Sequence, residues 1–295
     1  MDIFSALRLP AIIFFILLAA SQVQSATVKP NREAQHFIEL GQMLEFNASL
    51  DAARKAYSKA ALVDPASTDA HSGVYRVSAR MGDIDQAIKE LKILMQINPE
   101  SVEDCLELAA LLRKEGKTQD AVIVLQSECS RQKNSVDLKR ELAFSLLQAG
   151  DPTSAAEQFK QLVELQPRSV DYYIGLAISE FRKGDKISAD TYIHKVLELS
   201  PNEPNALCLL GDIALSKGEE EAAISFYRKA IAARPNLSKP YLSLGNIYLQ
   251  ANKTVIARQV FEDAKRNCSA EPDILIGLAV IEEQANDLDR AAEYY

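Results

Sequence analysis

The chain has no tryptophan, only three histidines and four cysteines in 295 residues, and no low-complexity stretch. Each shortage removes a class of chemistry. His36, His71 and His194 are scattered, and no HExxH, GxSxG, CxxC or phosphate-cradling glycine loop occurs. Cys105, Cys129, Cys208 and Cys268 lack the close pairs that a zinc site needs. No catalytic constellation, metal site, cofactor motif or small-molecule substrate site is legible, so the chain reads as a non-enzyme. A net charge of −8 and a pI near 5.1 disfavour nucleic acid or an anionic membrane surface as the main partner.

What the chain has is repetition. Ala53, Ala87, Ala121, Ala155, Ala189, Ala223, Ala257 and Ala291 follow one another at a fixed step of 34 residues. Leu40, Val74, Leu108, Leu142, Leu176, Leu210, Leu244 and Leu278 keep the same step, and Pro65, Pro99, Pro167, Pro201 and Pro235 close five of the units. The stretch 205–235 reads as two amphipathic helices meeting at Gly218. This pattern resembles the tetratricopeptide repeat family from about Ala34 to the end of the chain. Repeats are expected at 34–67, 68–101, 102–135, 136–169, 170–203, 204–237 and 238–271, with an incomplete one at 272–295. The resemblance implies an all-α fold, a right-handed superhelical solenoid of stacked antiparallel helix hairpins.

Each recurring residue type has a physical reason at its place. Gly41, Gly211, Gly245 and the alanines are small because two helices approach closely only where side chains are short. Gly82, Gly116, Gly150, Gly184 and Gly218, with Asn252 and Asn286, stand where the first helix ends and a left-handed residue is expected. The prolines cannot continue a helix and so separate the hairpins. One hairpin cannot bury its apolar face, so stacking supplies the core, and 47% hydrophobic residues suffice for it.

The start of the chain differs in kind. Arg8 precedes the apolar run 11–20, and a polar SQVQSA follows, with Val23 and Ser25 acceptable to a signal peptidase before Ala26. Residues 1–25 therefore read as a signal peptide, and 26–33 as an exposed lead-in. Export to a periplasm or to the outside is expected; an uncleaved anchor through residues 9–20 is the alternative, and only then is a membrane a partner. The N-glycosylation triplets at Asn47, Asn236, Asn252 and Asn267 leave a third location open, the lumen of the endoplasmic reticulum.

Two local features stand out. Cys105, early in a first helix, and Cys129, late in a second, come to the same end of one hairpin. An oxidising compartment permits a disulfide there, and two small buried thiols fit equally well. At the next joint Glu128 replaces an alanine, Lys139 an aromatic residue and Lys133 the proline. A buried charge needs a partner, so Glu128 is expected either to pair with Lys139 or Arg140 of the next hairpin or to stand in water at a loosened joint.

The resemblance also implies that first helices line a concave groove holding a peptide or a partner helix. Reading off the facing positions gives Arg76, Arg80, Arg113, Lys114, Arg140 and Arg182 as a basic strip. Beside it lie Leu106, Phe144, Leu147, Ile174, Ile178 and Phe181. That mixture suits a protein or peptide that is acidic with apolar anchors. Arg80, Lys114 and Arg182 also have an ordinary explanation, since cations favour helix C-termini. The lysine and asparagine of the family's carboxylate clamp are replaced by residues such as Ile38 and Gln42, and the asparagine ladder by Glu39 and Gly73. The function expected is an exported interaction scaffold. The alternatives are the regulatory arm of a larger enzyme, glycosyltransferase-like, continuing past Tyr295, or a lumenal co-chaperone.

Overall fold

The computed structural model describes residues 31–268 and 271–295; the expected signal and most of the lead-in lie outside the described residues. Among the described residues there are sixteen α-helices and no strand. They form two compact units, divided between Asp104 and Cys105. The first holds α1 (Arg32–Phe46), α2 (Leu50–Val63), α3 (Thr68–Met81) and α4 (Ile84–Ile97). The second begins within α5 (Val102–Lys114) and continues with α6 (Thr118–Arg131), α7 (Val136–Gln148), α8 (Pro152–Leu165), α9 (Val170–Arg182) and α10 (Lys186–Leu199). It ends with α11 (Pro204–Ser216), α12 (Glu220–Ala233), α13 (Ser238–Gln250), α14 (Thr254–Asn267), α15 (Pro272–Gln284) and α16 (Leu288–Tyr294).

Local chemistry sets these boundaries. Serine oxygens accept the exposed N–H groups at the start of first helices: Ser67 from Ala70 and Ser135 from Leu138, each at 3.3 Å. Aspartates do the same for second helices, Asp151 for Ser154 and Asp185 for Ser188, both at 3.0 Å. Between the two helices of a hairpin the chain turns through a left-handed residue. The expected glycines have φ from +73° to +90°, and Asn252 and Asn286 take +56° and +59°. The first hairpin is the exception, with Ala48 at φ +57°.

The core repeats as the sequence does. Tyr57, Phe159, Tyr227 and Phe261, all fully buried, stand at one repeat position on second helices. Each ring lies against glycine. A Cβ on Gly211 would meet the Tyr227 ring at 2.5 Å, and one on Gly73, from the following hairpin, would meet the Tyr57 ring at 2.4 Å. First helices also rest on first helices, α1 on α3 in the first unit and α7 on α9, α9 on α11 and α13 on α15 in the second. Side chains on the remaining face of the first helices are thereby left to line a groove. No described helix is long and apolar enough to cross a membrane.

Candidate functional site: the first-helix groove

In the first unit the groove-side cations close on one carboxylate. Glu45, at the end of α1, accepts from Arg76 Nε at 2.9 Å, Arg76 Nη2 at 2.8 Å and Arg80 Nη1 at 3.0 Å. Tyr57 donates to the same carboxylate at 3.1 Å, and the Arg76 guanidinium lies 5.9 Å from the centre of its ring. Hydrogen bonds from Arg76 lower the carboxyl pKa of Glu45 to about 2, against burial that raises it; Tyr57 and Arg80 add to the lowering. Burial, and then Glu45 itself, push the Tyr57 hydroxyl upward. Arg76 and Arg80 come together on an internal counter-ion, Glu45, which the expected strip of cations did not include.

In the second unit three of the four expected cations also have partners. Arg113 pairs with Glu141 at 2.8 Å, joining α5 to α7, and Arg140 pairs with Asp137 on its own helix at 3.0 Å. Arg182 donates to the Leu147 carbonyl at 2.7 Å, so it caps the end of α7. Lys114 is exposed. Further along, Asp212 accepts from Tyr227 and from Lys239, both at 2.7 Å.

Several of the apolar groups are different, because nothing covers them fully. Phe144 packs edge-on to Phe159 with ring centres 5.1 Å apart and remains 37% exposed. Ile178 and Phe181 are half-buried, whereas Ile174 and Leu147 sink into the wall. Leu215 continues the stripe at 41% exposed and Ile276 at 47%. Between α13 and α15 the groove deepens into a cavity of about 350 Å³ lined by Leu242, Asn246, Leu249, Asp273, Ile276, Gly277 and Val280. Of these, Leu242, Asn246, Leu249, Ile276 and Val280 were missed in the sequence although they occupy the repeat positions that selected Ile174, Ile178 and Phe181. The expected basic strip ends at the fifth repeat, whereas the apolar positions continue beyond it.

The expected bond from Glu128 to Lys139 or Arg140 is corrected. Glu128 is buried, and its carboxylate accepts from Arg131 at 3.0 Å and Gln132 at 2.7 Å, one turn further along the same helix. Partners three and four residues on need less ordering than one in the next hairpin. All four cysteines are free thiols. Burial, with Glu128 and Cys129 beside it, pushes the Cys105 thiol up to about 12, and burial pushes Cys129 up to about 11. At neutral pH both stay protonated and slow to react.

Models of the tetratricopeptide repeat match residues 140–189, 204–237 and 242–295. A search of curated protein sequences finds no match. Among solved structures, the chain is similar to a tetratricopeptide repeat protein from Parabacteroides merdae at 17% identity and a TM-score of 0.59, with 75% of this chain and 87% of that one covered. It is similar to YrrB, described as a TPR protein with an unusual peptide-binding site, at 21% identity and a TM-score of 0.50, covering 60% and 92%. In the Cut9–Hcn1 hetero-tetramer of APC/C it matches a chain at 15% identity and a TM-score of 0.55, covering 94% of itself and 55% of that chain. At these identities the likeness speaks for the fold. Repeat models along the second unit and the likeness to solved structures thus agree on the fold, an all-helical solenoid of stacked helix pairs like that of tetratricopeptide repeat proteins.

Proposed function

We propose that the chain is a non-enzymatic interaction scaffold whose second unit holds a segment of a partner protein in the first-helix groove, chiefly through apolar side chains. The observation that carries this reading is the contrast along the groove: its arginines are answered within the chain, while Phe144, Phe181, Leu215 and Ile276 are not fully covered. A partner that buries such groups gains roughly 25 cal/mol per Å² of apolar surface removed from water, whereas an acidic group meeting Arg140 must displace Asp137. Peptide binding by a protein of similar fold, YrrB, is consistent with this use of the scaffold. Acidic flanking residues in the partner are a secondary feature, directed at Lys114. Export belongs to the same proposal, and rests on the charge and apolar pattern of residues 1–25.

Selection of a random peptide library on the chain tests the binding. The expected consensus has two or three apolar residues at regular spacing, and Leu249→Asp combined with Ile276→Asp weakens the selected peptide at least tenfold while helicity is kept. No enrichment, or an acidic consensus indifferent to those substitutions, rejects the reading. Mass of the mature chain tests export separately: a first residue at Ala26 is expected, and an intact N-terminus in exported material contradicts cleavage.

A further inference from the structure

A second site lies between second helices rather than first ones, at the joint where the repeat pattern breaks. α6 and α8 flank a cavity of about 490 Å³ whose floor is α7; its walls carry Lys133, Lys139, Gln126, Gln158 and Gln161, with Ser130 and Cys129 beside them. That volume lies within the range of ligand pockets, about 300–1,000 Å³. No carboxylate lines the cavity. The nearby Glu128 carboxylate is buried and engaged by Arg131 and Gln132. Lys139 is half-buried, and among the described residues neither it nor Lys133 forms an ion pair with a carboxylate.

Periodicity makes this place unusual within its own chain. Stepping by 34 residues, Lys139 corresponds to His71, Leu207 and Tyr241, and Gln158, nineteen residues on, corresponds to Glu90, Phe226 and Val260. In the second hairpin the ionisable floor residue is answered: His71 Nδ1 lies 2.5 Å from Glu90 Oε2, and Nε2 lies 3.2 Å from the Pro65 carbonyl. In the outer cavities at the sixth and seventh hairpins the same two positions are apolar in pairs, Leu207 with Phe226 and Tyr241 with Val260. At the fourth hairpin a cation faces an amide. A cation held in a cavity without a counter-charge favours an anion that can reach it, and glutamine side chains supply further donors to such an anion.

We propose that this cavity binds an oxyanion, a carboxylate or a phosphoryl group, with Lys139 as its main charge partner, Lys133 at the rim and the glutamine amides as orienting donors. The site stands apart from the groove and does not depend on it.

Titration of the whole chain with inorganic phosphate, and separately with acetate, at constant ionic strength tests this, read from the amide NMR signals of Gln158, Gln161 and Ser130. Saturable shifts in about the millimolar range are expected. Lys139→Leu, which restores the residue of the sixth hairpin, should weaken binding at least tenfold. Gln158→Glu, which supplies the carboxylate that His71 has, should do the same while leaving the lysine in place. Lys160→Gln, a cation outside the cavity, should change nothing. Tighter binding of phosphate assigns a phosphoryl ligand and tighter binding of acetate a carboxylate; both support the site. No saturable shift in the unaltered chain overturns it, as does affinity kept within twofold in either Lys139→Leu or Gln158→Glu. Should one of these two lose its helicity, the other still decides.

Discussion

In the first unit, Arg76 and Arg80 share Glu45 with the Tyr57 hydroxyl, so the groove-side cations of α3 are taken up by ion pairs with α1. In the second unit the same side of α7, α9, α11, α13 and α15 carries Phe144, Phe181, Leu215, Leu249 and Ile276, with the charges among them already paired. The helix positions are equivalent, so the difference comes from side chains alone. It teaches that charge counted along a groove is not charge on offer. What remains for a partner is whatever the fold has left without a contact, and in the second unit that is apolar surface.

The comparison breaks most completely if the shared frame is removed. Gly73→Leu drives a side chain into the Tyr57 ring, which a Cβ would already meet at 2.4 Å, and is expected to lose about 3 kcal/mol of first-unit stability in chemical unfolding. A smaller effect isolates the ion pairs. Glu45→Gln leaves two arginines on a neutral amide and should destabilise the first unit by about 2 kcal/mol. Its pH dependence has a definite sign: the folded-state pKa of about 2 lies below the ordinary value of 4.5. The contribution is therefore present above pH 4.5 and lost as pH falls toward 2, and the variant should show a flatter acid limb over that window in thermal melts. Smaller again, and opposite in sign, Ala48→Gly relieves a left-handed alanine at φ +57° and should stabilise the first hairpin by about 1 kcal/mol. The smallest effect sharpens the contrast. Arg140→Gln, removing a cation that Asp137 already neutralises, should alter binding of a groove-selected peptide by less than twofold in fluorescence anisotropy.

Much of the fold was legible because one step of 34 residues carries it. The alanines, the turn glycines and the two turn asparagines each have a local cause that depends on residue type alone. Gly73, Gly175 and Gly277 were not recognised as packing residues, because the ring each one meets belongs to the preceding hairpin and the contact spans a joint. The buried carboxylates Glu180 and Glu282 escaped for a related reason. Glu180 is held by Lys160 of α8 and Lys183, and Glu282 by Arg258 of α14, and no local pattern announces a partner on another helix. For the groove, the facing positions were readable but their pairing was not. Glu45 and Glu141 look like surface acids in one dimension, and only the packed helices set them against the arginines, whereas Asp137 stands three residues before Arg140 on one helix and was readable as its partner.

The most direct test of the apolar groove compares two leucines, one half-buried in the groove and one exposed on a second helix. A photo-crosslinking phenylalanine analogue is placed at Leu249, in the groove cavity of α13, or at Leu165, on the second helix α8. Each chain is then irradiated with a library-selected peptide. The account predicts a covalent adduct at Leu249 and none at Leu165, unchanged when salt is raised from 50 to about 500 mM, where charge attraction is largely screened. An adduct at Leu165, or one at Leu249 that disappears with salt, would contradict it.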